Sequence, residues 1–355
     1  MKKATKVAVS MLCVLAIVLL AACGAPAAPA SSSAAAPASS AAAPASSAAA
    51  PAEKIKIGVS MGASQSTFCQ GLQDGATKKI EALGGEYVLS LADNDPTRQA
   101  SQIEDMVSKG CKAVICFAAD TDAITASAKY CKDKGVAFIE ASRISPDMTN
   151  IDLALGFDNK QQATICGEAI VAGAKEVGYS EIKCIEFVGS LTDQNAIERQ
   201  KYFEEFAAAN NIKIVATVLT EWDAEKAVAR YKDAITAVND DYNAMYCASD
   251  FLFTPIMSVL TEKGQWVKKG EQGWKIIVGI DGAPDALQKI RDGYCYMDAN
   301  TDVMQLGNAA AEKAFDIITN GTKYEGDKKT VMIDAQSITA ANASDPSIWG
   351  NNYKA

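Results

Sequence analysis

The 355-residue chain has 43 acidic and 34 basic residues, a formal net charge of −9, and no histidine. The acidic balance argues against nucleic acid as a partner and against a surface that lies flat on anionic lipid. The lack of histidine excludes His-based triads, His general bases and His metal ligands in one step.

Residues 1–22 have the pattern of a secretory signal peptide. Three lysines among the first six residues precede an apolar stretch over 7–22, which is short for a membrane-spanning helix. The end of this stretch, LAACG at 20–24, resembles the bacterial lipobox and implies cleavage before Cys23 and attachment of lipid to its sulfur. The alternative, an uncleaved amino-terminal anchor, would leave the protein on the same side of the membrane.

Residues 23–52 are expected to form a lipidated cysteine followed by a disordered tether. From residue 25 onward the segment is almost entirely alanine, serine and proline, and SSAAAPA occurs three times. A segment of this composition has almost nothing to bury. Fully extended at about 3.1 Å per residue, the tether would reach on the order of 90 Å from the membrane.

Ten cysteines are many for an exported protein. Cys13 would leave with the signal peptide and Cys23 would carry lipid, which leaves eight. No CxxC pair is present, and several cysteines, such as Cys116 and Cys184, lie within apolar runs. We therefore expect most of them to be small buried hydrophobic residues, while the sequence alone leaves disulfide pairing open.

Strands and helices alternate from residue 54 onward. The apolar patterns predict strands at 54–60, 87–91, 113–117 and 136–140, and helices at 68–83, 96–109 and 123–134. Units of similar length that repeat a strand and then a helix predict a parallel sheet with right-handed crossovers. The loop 142–152 then interrupts the alternation.

The same pattern restarts after this loop. Strands are predicted at 153–157, 183–188, 213–219, 244–247 and 276–280, and helices at 161–177, 196–210, 224–238 and 255–263. A further helix begins near Pro284 and ends before Gly293. A strand at 295–299, a helix at 303–319 and a last strand near 330–334 follow, and the tail to 355 has no clear period.

Two such series predict an α/β fold with two Rossmann-like doubly wound lobes joined by hinge segments, because one sheet of so many strands would be unusually wide. The expected first lobe comprises residues 53–156 and 301–328, and the second comprises 157–300 and 329–355. Hinge strands should pass near 142–157, Asp281 and Asn300. Ligands of open α/β sheets lie outside the carboxyl ends of the strands, so residues at those ends are the site candidates.

Several segments stand at the junctions of these elements, in the order GVSMGASQSTFCQGLQDGA, DNDPTRQASQIEDMVSKG, AADTDA, NAIERQKYF, ASD and VGIDGAPD. Their shared order, over nearly all of 54–334, resembles the ribose-binding-protein family of type I periplasmic binding proteins. The same fold forms the effector domain of lactose-repressor-type regulators. The resemblance implies two lobes that close on one small polar ligand, commonly a monosaccharide.

When the family's ligand-binding positions are transferred to this chain at each strand–helix junction, the resemblance implies a ligand site at the cleft. Its members are Ser64, Gln65, Phe68, Arg143, Asp158, Arg199, Trp222, Ser249, Asp250, Asp281 and Asn300. The chain departs from the family pattern where Cys69 replaces a second aromatic, Ser142 replaces an aspartate, and Ser249 replaces an asparagine. In a sugar site, charged groups and amides would bind the hydroxyls, and aromatic rings would pack against the sugar ring.

Each of these residues also has a purely structural explanation. Arg199 could be a charge on a helix surface, and Trp222 could be ordinary packing at a strand–helix junction. Ser249, Asp250 and Asp281 could cap the helices that follow them. The interpretations differ in whether the side chains meet in one gap between two lobes.

An enzyme is disfavoured by the motifs. A dinucleotide-binding protein would have GxGxxG at the first strand–helix turn, where this chain has GVSMGAS, and no P-loop, GxSxG or metal-ligand cluster occurs. No cofactor and no metal are therefore expected. A transcriptional regulator of the same fold would need a basic helix-turn-helix before residue 54, where the signal peptide and tether lie, so no nucleic acid partner is expected.

The sequence therefore predicts an extracytoplasmic solute-binding lipoprotein, held by lipid on Cys23 at the outer face of the cell membrane. As a monomer it would capture a small polar, sugar-like ligand between its lobes and deliver it to an ABC permease with its ATPase. One alternative is a ligand-presenting sensor subunit for a receptor kinase or chemoreceptor. A nucleoside, a polyol or an autoinducer-like furanose are alternative ligands, and the departures from the family pattern disfavour ribose.

Overall fold

The computed structural model describes residues 53–354. The predicted signal peptide, the lipidation site at Cys23 and the predicted tether lie outside the described residues. Within 53–354, no helix combines the length and the apolar character that crossing a membrane requires.

The strands and helices follow the predicted alternation. The strands are β1 (Lys56–Met61), β2 (Glu86–Leu91), β3 (Ala113–Phe117), β4 (Ala137–Ala141), β5 (Leu153–Phe157), β6 (Ile182–Val188), β7 (Ile212–Leu219), β8 (Ala244–Cys247), β9 (Ile276–Asp281), β10 (Met297–Asn300), β11 (Thr330–Ile333) and β12 (Gln336–Thr339). The α-helices are α1 (Thr67–Ala82), α2 (Pro96–Ser108), α3 (Ile124–Asp133), α4 (Asn159–Val177), α5 (Gln194–Ala209), α6 (Ala224–Ala237), α7 (Phe253–Glu262), α8 (Pro284–Arg291), α9 (Val303–Asn320) and α10 (Trp349–Asn352). The sequence prediction missed β12 and α10, each of four residues.

The first sheet has the order β11-β5-β4-β3-β1-β2, and all its pairings are parallel. Its central strand β3 is buried along its whole length, as expected for a parallel sheet covered on both faces. On one face α1 and α9 approach each other closely because two glycines lie between them. A Cβ on Gly75 would lie 2.6 Å from the carbonyl oxygen of Met304, and one on Gly307 would lie 2.5 Å from that of Leu72. The late helix α9 is thereby packed into the first lobe.

The second sheet has the order β12-β10-β9-β8-β6-β7, with β12 antiparallel to β10 and the other pairings parallel. The chain crosses between the sheets after Phe157, after Asn300 and after Ile333. The last crossover is later than the expected boundary at residue 329. Thr330 pairs with Ala154 of β5, so β11 completes the first sheet before the chain returns to the second.

The cysteines of the described residues are all free and buried: Cys69, Cys111, Cys116, Cys131, Cys166, Cys184, Cys247 and Cys295. The prediction that they are small buried hydrophobic residues is confirmed. Burial raises the pKa of the Cys116 and Cys184 thiols, which lie in β3 and β6. Because the thiolate is the reactive form, a raised pKa makes these side chains chemically inert.

Each lobe buries one glutamate in a sheet. Glu140 in β4 accepts a hydrogen bond from the backbone N–H of Ser145 at 2.8 Å, and burial raises its pKa to about 7. Glu186 in β6 accepts one from the Thr217 hydroxyl at 3.2 Å, and burial raises its pKa to about 8. Both carboxyls therefore hold a proton over a pH range in which the same groups in an unfolded chain are ionised.

We expect Glu186→Gln to reduce the pH dependence of stability. The folded pKa of Glu186 lies above the unfolded value of about 4.3, so the stability that its protonation contributes is fully present below that value and is lost as the pH rises towards 8. The amide does not titrate, so urea unfolding at pH 5 and pH 8 should show a smaller difference for the variant. Glu168→Gln, at an exposed position of α4, is the control. If the difference in unfolding free energy between pH 5 and pH 8 is the same in Glu186→Gln as in the wild type, the raised pKa of Glu186 is contradicted.

Candidate ligand-binding cleft

A cavity of about 70 Å³ lies between the lobes, at the carboxyl ends of strands from both sheets. Its lining residues are Ala63, Gln65, Ser66, Phe68, Cys69, Asn94, Phe117, Ser142, Arg143, Asp193, Asn195, Arg199, Trp222, Ser249, Phe251 and Asp281. Arg143 of the first lobe and Arg199, Trp222 and Asp281 of the second therefore border one gap. The sequence interpretation depended on this arrangement.

The structure brings most of the predicted site residues to this cavity, and their contacts with a ligand stay predictions. The predicted residues that line it are Gln65, Phe68, Arg143, Arg199, Trp222, Ser249 and Asp281. Those that do not line it are Ser64, Asp158, Asp250 and Asn300. Ser64 is half-buried in the loop before α1.

The other residues outside the lining have structural roles. Asp158 is exposed and caps α4, because its carboxylate accepts the backbone N–H of Gln161 at 2.9 Å. Asp250 is buried and accepts the backbone N–H of Ala283 at 2.7 Å, which fixes the start of α8. Asn300 is buried at the end of β10, where the chain crosses to the first lobe.

Asp193, which the sequence interpretation missed, joins the two lobes. Its carboxylate lies 3.0 Å from Nε of Arg143, and the two side chains are only 3% and 6% exposed. The same carboxylate accepts a hydrogen bond from Nε1 of Trp222 at 2.9 Å. Arg143 also donates to the carbonyl oxygen of Ala118 at 2.7 Å and lies 4.2 Å above the ring of Phe117. The carboxylate absent before Arg143 in this chain is thus supplied from the opposite lobe.

Two further contacts bridge the cleft near this ion pair. The amide of Asn195 donates to the carbonyl oxygen of Ser142 at 3.2 Å. The backbone N–H of Thr121 donates to the carbonyl oxygen of Thr192 at 3.1 Å. The lobes are therefore in contact along one side of the cavity.

Arg199 is a buried cation, 4% exposed, and not a surface charge. Its Nε donates to Asn159 Oδ1 at 3.1 Å and to Gln162 Oε1 at 2.9 Å, and its Nη1 donates to the carbonyl oxygen of Ala248 at 2.7 Å. Among residues 53–354, no carboxylate oxygen lies within 4.0 Å of its guanidinium nitrogens. These neutral acceptors fix the orientation of the guanidinium and leave its charge available to the cavity.

Asp281 ends β9 in an unusual backbone conformation, with φ of 132°. It accepts hydrogen bonds from the hydroxyls of Ser249 at 2.6 Å and Thr301 at 3.2 Å, and its carbonyl oxygen accepts Nε1 of Trp349 at 2.8 Å. It does not cap α8, whose first residue follows Ala283 without a side-chain cap. Burial raises the pKa of Asp281 to about 6. Strained backbone held by several contacts is common at ligand sites.

Two more buried carboxyls lie behind Asp281. Asp298 accepts the backbone N–H of Gly282 at 3.1 Å, and Asp250 accepts that of Ala283 at 2.7 Å. Burial raises the pKa of Asp250 to about 8 and that of Asp298 well above its usual value. Burial therefore favours the protonated forms of both groups, which reduces the negative charge next to Asp281.

Aromatic rings from both lobes surround the cavity. Phe68 and Phe117 belong to the first lobe, with ring centroids 6.2 Å apart. Trp222 and Phe251 belong to the second, and Trp222 packs so closely on Gly189 that a Cβ there would lie 2.0 Å from its ring. The sequence interpretation missed Phe117 and Phe251. The available signal was their position: Phe117 is the last residue of β3, and Phe251 lies in the 3-10 helix Asp250–Leu252 that follows β8.

Known proteins share this architecture. Residues 57–323 match the profile of a family described as periplasmic binding protein domain. The ribose import binding protein RbsB of Salmonella typhimurium is 24% identical over 79% of this chain and 91% of its own length. The D-xylose-binding periplasmic protein of Escherichia coli is 24% identical over 78% of this chain and 81% of its own length.

Solved structures show the same fold. An ABC transporter solute-binding protein from Mycobacterium smegmatis with bound glycerol superimposes with a TM-score of 0.73 at 24% identity, covering 82% of this chain and 96% of that one. The Caulobacter myo-inositol binding protein superimposes with a TM-score of 0.75 at 19% identity, covering 85% and 99%. The profile match spans well over half of the chain and the two lobes have the type I architecture. The chain therefore belongs to the periplasmic binding protein family, as a solute-binding protein and not an enzyme.

Proposed function

We propose that this protein is an extracytoplasmic solute-binding lipoprotein that captures a small uncharged polyhydroxy ligand, a monosaccharide or polyol, and delivers it to an ABC permease. The observation that carries the proposal is the convergence of Arg143, Arg199, Asp281 and Trp222 on one cavity between two lobes. The sugars in the names of RbsB and the xylose-binding protein support the ligand class. The glycerol and myo-inositol in related structures support it as well.

The charges around the cavity favour a neutral ligand. Its lining contains the cations Arg143 and Arg199 and the carboxylates Asp193 and Asp281. With Asp281 ionised near neutral pH, the formal charges of these four lining residues sum to zero. A charged ligand would therefore leave a buried charge without a partner.

The hydrogen-bonding groups suit hydroxyls. Within the described residues, Nη2 of Arg143 and Nη2 of Arg199 have no protein acceptor, so each can donate to a ligand oxygen. The carboxylate of Asp281 has acceptor capacity beyond its two hydroxyl donors. Hydroxyls both donate and accept, and the apolar face of a sugar ring can pack against Trp222 or Phe68.

We expect Arg199→Gln to weaken binding by about 10–150-fold, because a hydrogen bond to a charged group contributes about 1.5–3 kcal/mol. A thermal-shift panel of monosaccharides, polyols and nucleosides identifies the ligand, and calorimetry measures the affinity of each variant. Arg230→Gln is the control, since Arg230 lies in the same lobe but outside the cavity lining.

Circular dichroism must show that Arg199→Gln is folded. Unchanged affinity in a folded Arg199→Gln variant would contradict the site assignment. A panel in which no sugar or polyol raises the melting temperature would contradict the proposed function itself.

Ligand capture requires the lobes to open and close. The three crossovers after Phe157, Asn300 and Ile333 are the hinge segments. A ligand that contacts both lobes favours the closed state, and a permease can recognise that state. The ion pair between Arg143 and Asp193 belongs to the closed arrangement, because its partners lie in different lobes.

Asp193→Asn should shift the ligand-free protein towards the open state. The amide can still cap α5 but cannot form the ion pair with Arg143. We expect a larger radius of gyration in small-angle X-ray scattering without ligand, and weaker binding of the ligand found in the panel. Asp158→Asn is the matched control, because Asp158 caps the neighbouring helix α4 and is exposed. Equal radii in the two variants would contradict a role of the ion pair in closure.

Lipid attachment to Cys23 is part of the proposal and is supported by the LAACG sequence at the end of the apolar stretch. In a bacterial host, Cys23→Ser should abolish incorporation of labelled fatty acid into the protein. Cys13→Ser is the matched control, because that residue would leave with the signal peptide. Loss of labelling in Cys13→Ser, or labelled Cys23→Ser, would contradict attachment at Cys23.

A further inference from the structure

A second cavity of about 220 Å³ lies beside the first and is also lined by both lobes. The two cavities share Gln65, Ser66, Phe68 and Phe251 in their linings. Phe68 comes from the first turn of α1, and Phe251 comes from the 3-10 helix before α7. A molecule in the first cavity therefore has a larger space directly next to it, past two aromatic side chains.

The lining of the second cavity suits an uncharged group with an apolar face. Pro255, Ala283 and Ala286 contribute apolar surface. Asp285 is paired with Lys289 and accepts the hydroxyl of Thr254 at 3.0 Å, so its charge is already compensated. No arginine or lysine lines this cavity. A phosphate or carboxylate would find no cation there, whereas a second sugar ring or an aromatic group would pack against Phe68 and Phe251.

The difference in volume between the two cavities indicates which part of a ligand each cavity would hold. At about 10–15 Å³ for each water-sized group, the first cavity has room for about five to seven such groups. The second has room for about three times as many. Arg143, Arg199 and Asp281, which are proposed above to hold sugar hydroxyls, line the smaller cavity. Asp250 lines the second cavity, where it accepts the backbone N–H of Ala283. Hydroxyl recognition and the larger volume are therefore in adjacent compartments.

We propose that the ligand is a glycoside, with its sugar ring in the first cavity and the uncharged substituent of its anomeric carbon in the second. This inference rests on the proposed function and specifies its ligand class. Phe68 and Phe251, one from each lobe, contact the substituent as the lobes close. Specificity for the substituent then depends on the second cavity, and recognition of the sugar depends on Arg143, Arg199 and Asp281.

The experiment compares matched pairs of probes by calorimetry on the purified protein. The pairs are D-glucose with phenyl β-D-glucoside, D-galactose with phenyl β-D-galactoside, D-glucose with cellobiose, and D-ribose with adenosine. We expect at least one pair in which the glycoside binds about tenfold or more tightly than its parent sugar, because its substituent buries apolar surface. Parent sugars that bind as tightly as their glycosides would overturn the inference and leave the proposed function intact. Absence of binding by every probe would overturn the inference, and the proposed function is overturned as well only if the thermal-shift panel of monosaccharides and polyols also yields no ligand.

Filling the second cavity provides the specific test. Thr254 is an exposed residue of α7 that lines this cavity and not the first. We expect Thr254→Trp to weaken binding of the preferred glycoside about tenfold or more and to change that of its parent sugar by less than about twofold. Thr261→Trp is the matched control, because Thr261 is exposed on the same helix and lines neither cavity.

A second variant tests the same cavity independently, in case Thr254→Trp does not fold. Ala224→Trp places the same side chain in this cavity from the exposed first residue of α6. Either folded variant that weakens the sugar and the glycoside equally, or weakens neither, would overturn the inference. Such results would identify the second cavity as an entrance to the first or as unused space.

Discussion

The buried ion pair between Arg143 and Asp193 is the contact on which the closed cleft depends. Removing two charges from water is costly, and their attraction offsets this cost only with good geometry. Opening the lobes would rehydrate both groups, so the net contribution of the intact pair to closure is much smaller than its attraction alone. Removing one partner, in contrast, would leave the other charge buried and unpaired in the closed state, which favours opening. A small difference between open and closed states suits a binding protein, because the contacts of one small ligand can then shift the equilibrium.

The same carboxylate positions the aromatic side of the cavity. Asp193 accepts Nε1 of Trp222, and Trp222 lies against Gly189 with no room for a Cβ between them. The backbone of Trp222 has φ of 58°, in the left-handed region that few non-glycine residues adopt. The hydrogen bond and the packing together hold this conformation. Closure therefore links the guanidinium of one lobe to the ring of the other through a single carboxylate.

The sequence predicted the alternation of strands and helices and the strand ends that meet at the cleft, because both follow from local apolar patterns. It did not predict β12, whose four residues are stabilised by long-range contacts, namely pairing with β10 and burial of Ile338 in the core. It also did not distinguish the role of Asp193 from that of Asp158. Both are aspartates that cap the helix after a buried strand, yet Asp158 is exposed and Asp193 is buried against the opposite lobe. That difference depends on how the lobes meet, which local sequence does not encode.

The buried acids explain how a cleft with several carboxyls can hold a neutral ligand. Asp281 ends β9, Asp298 lies in the neighbouring strand β10, and Asp250 follows β8 on the other side. Three full negative charges there would repel one another. Burial and mutual repulsion raise the pKa of Asp250 and Asp298, which favours their protonated forms. Of these three carboxyls, Asp281 is the one that lines the cavity together with Arg199. Arg143 is balanced by Asp193 in the same way. In the function proposed here, the internal charge balance of the protein would select against charged solutes, and the hydroxyl contacts and the aromatic rings would select among neutral ones.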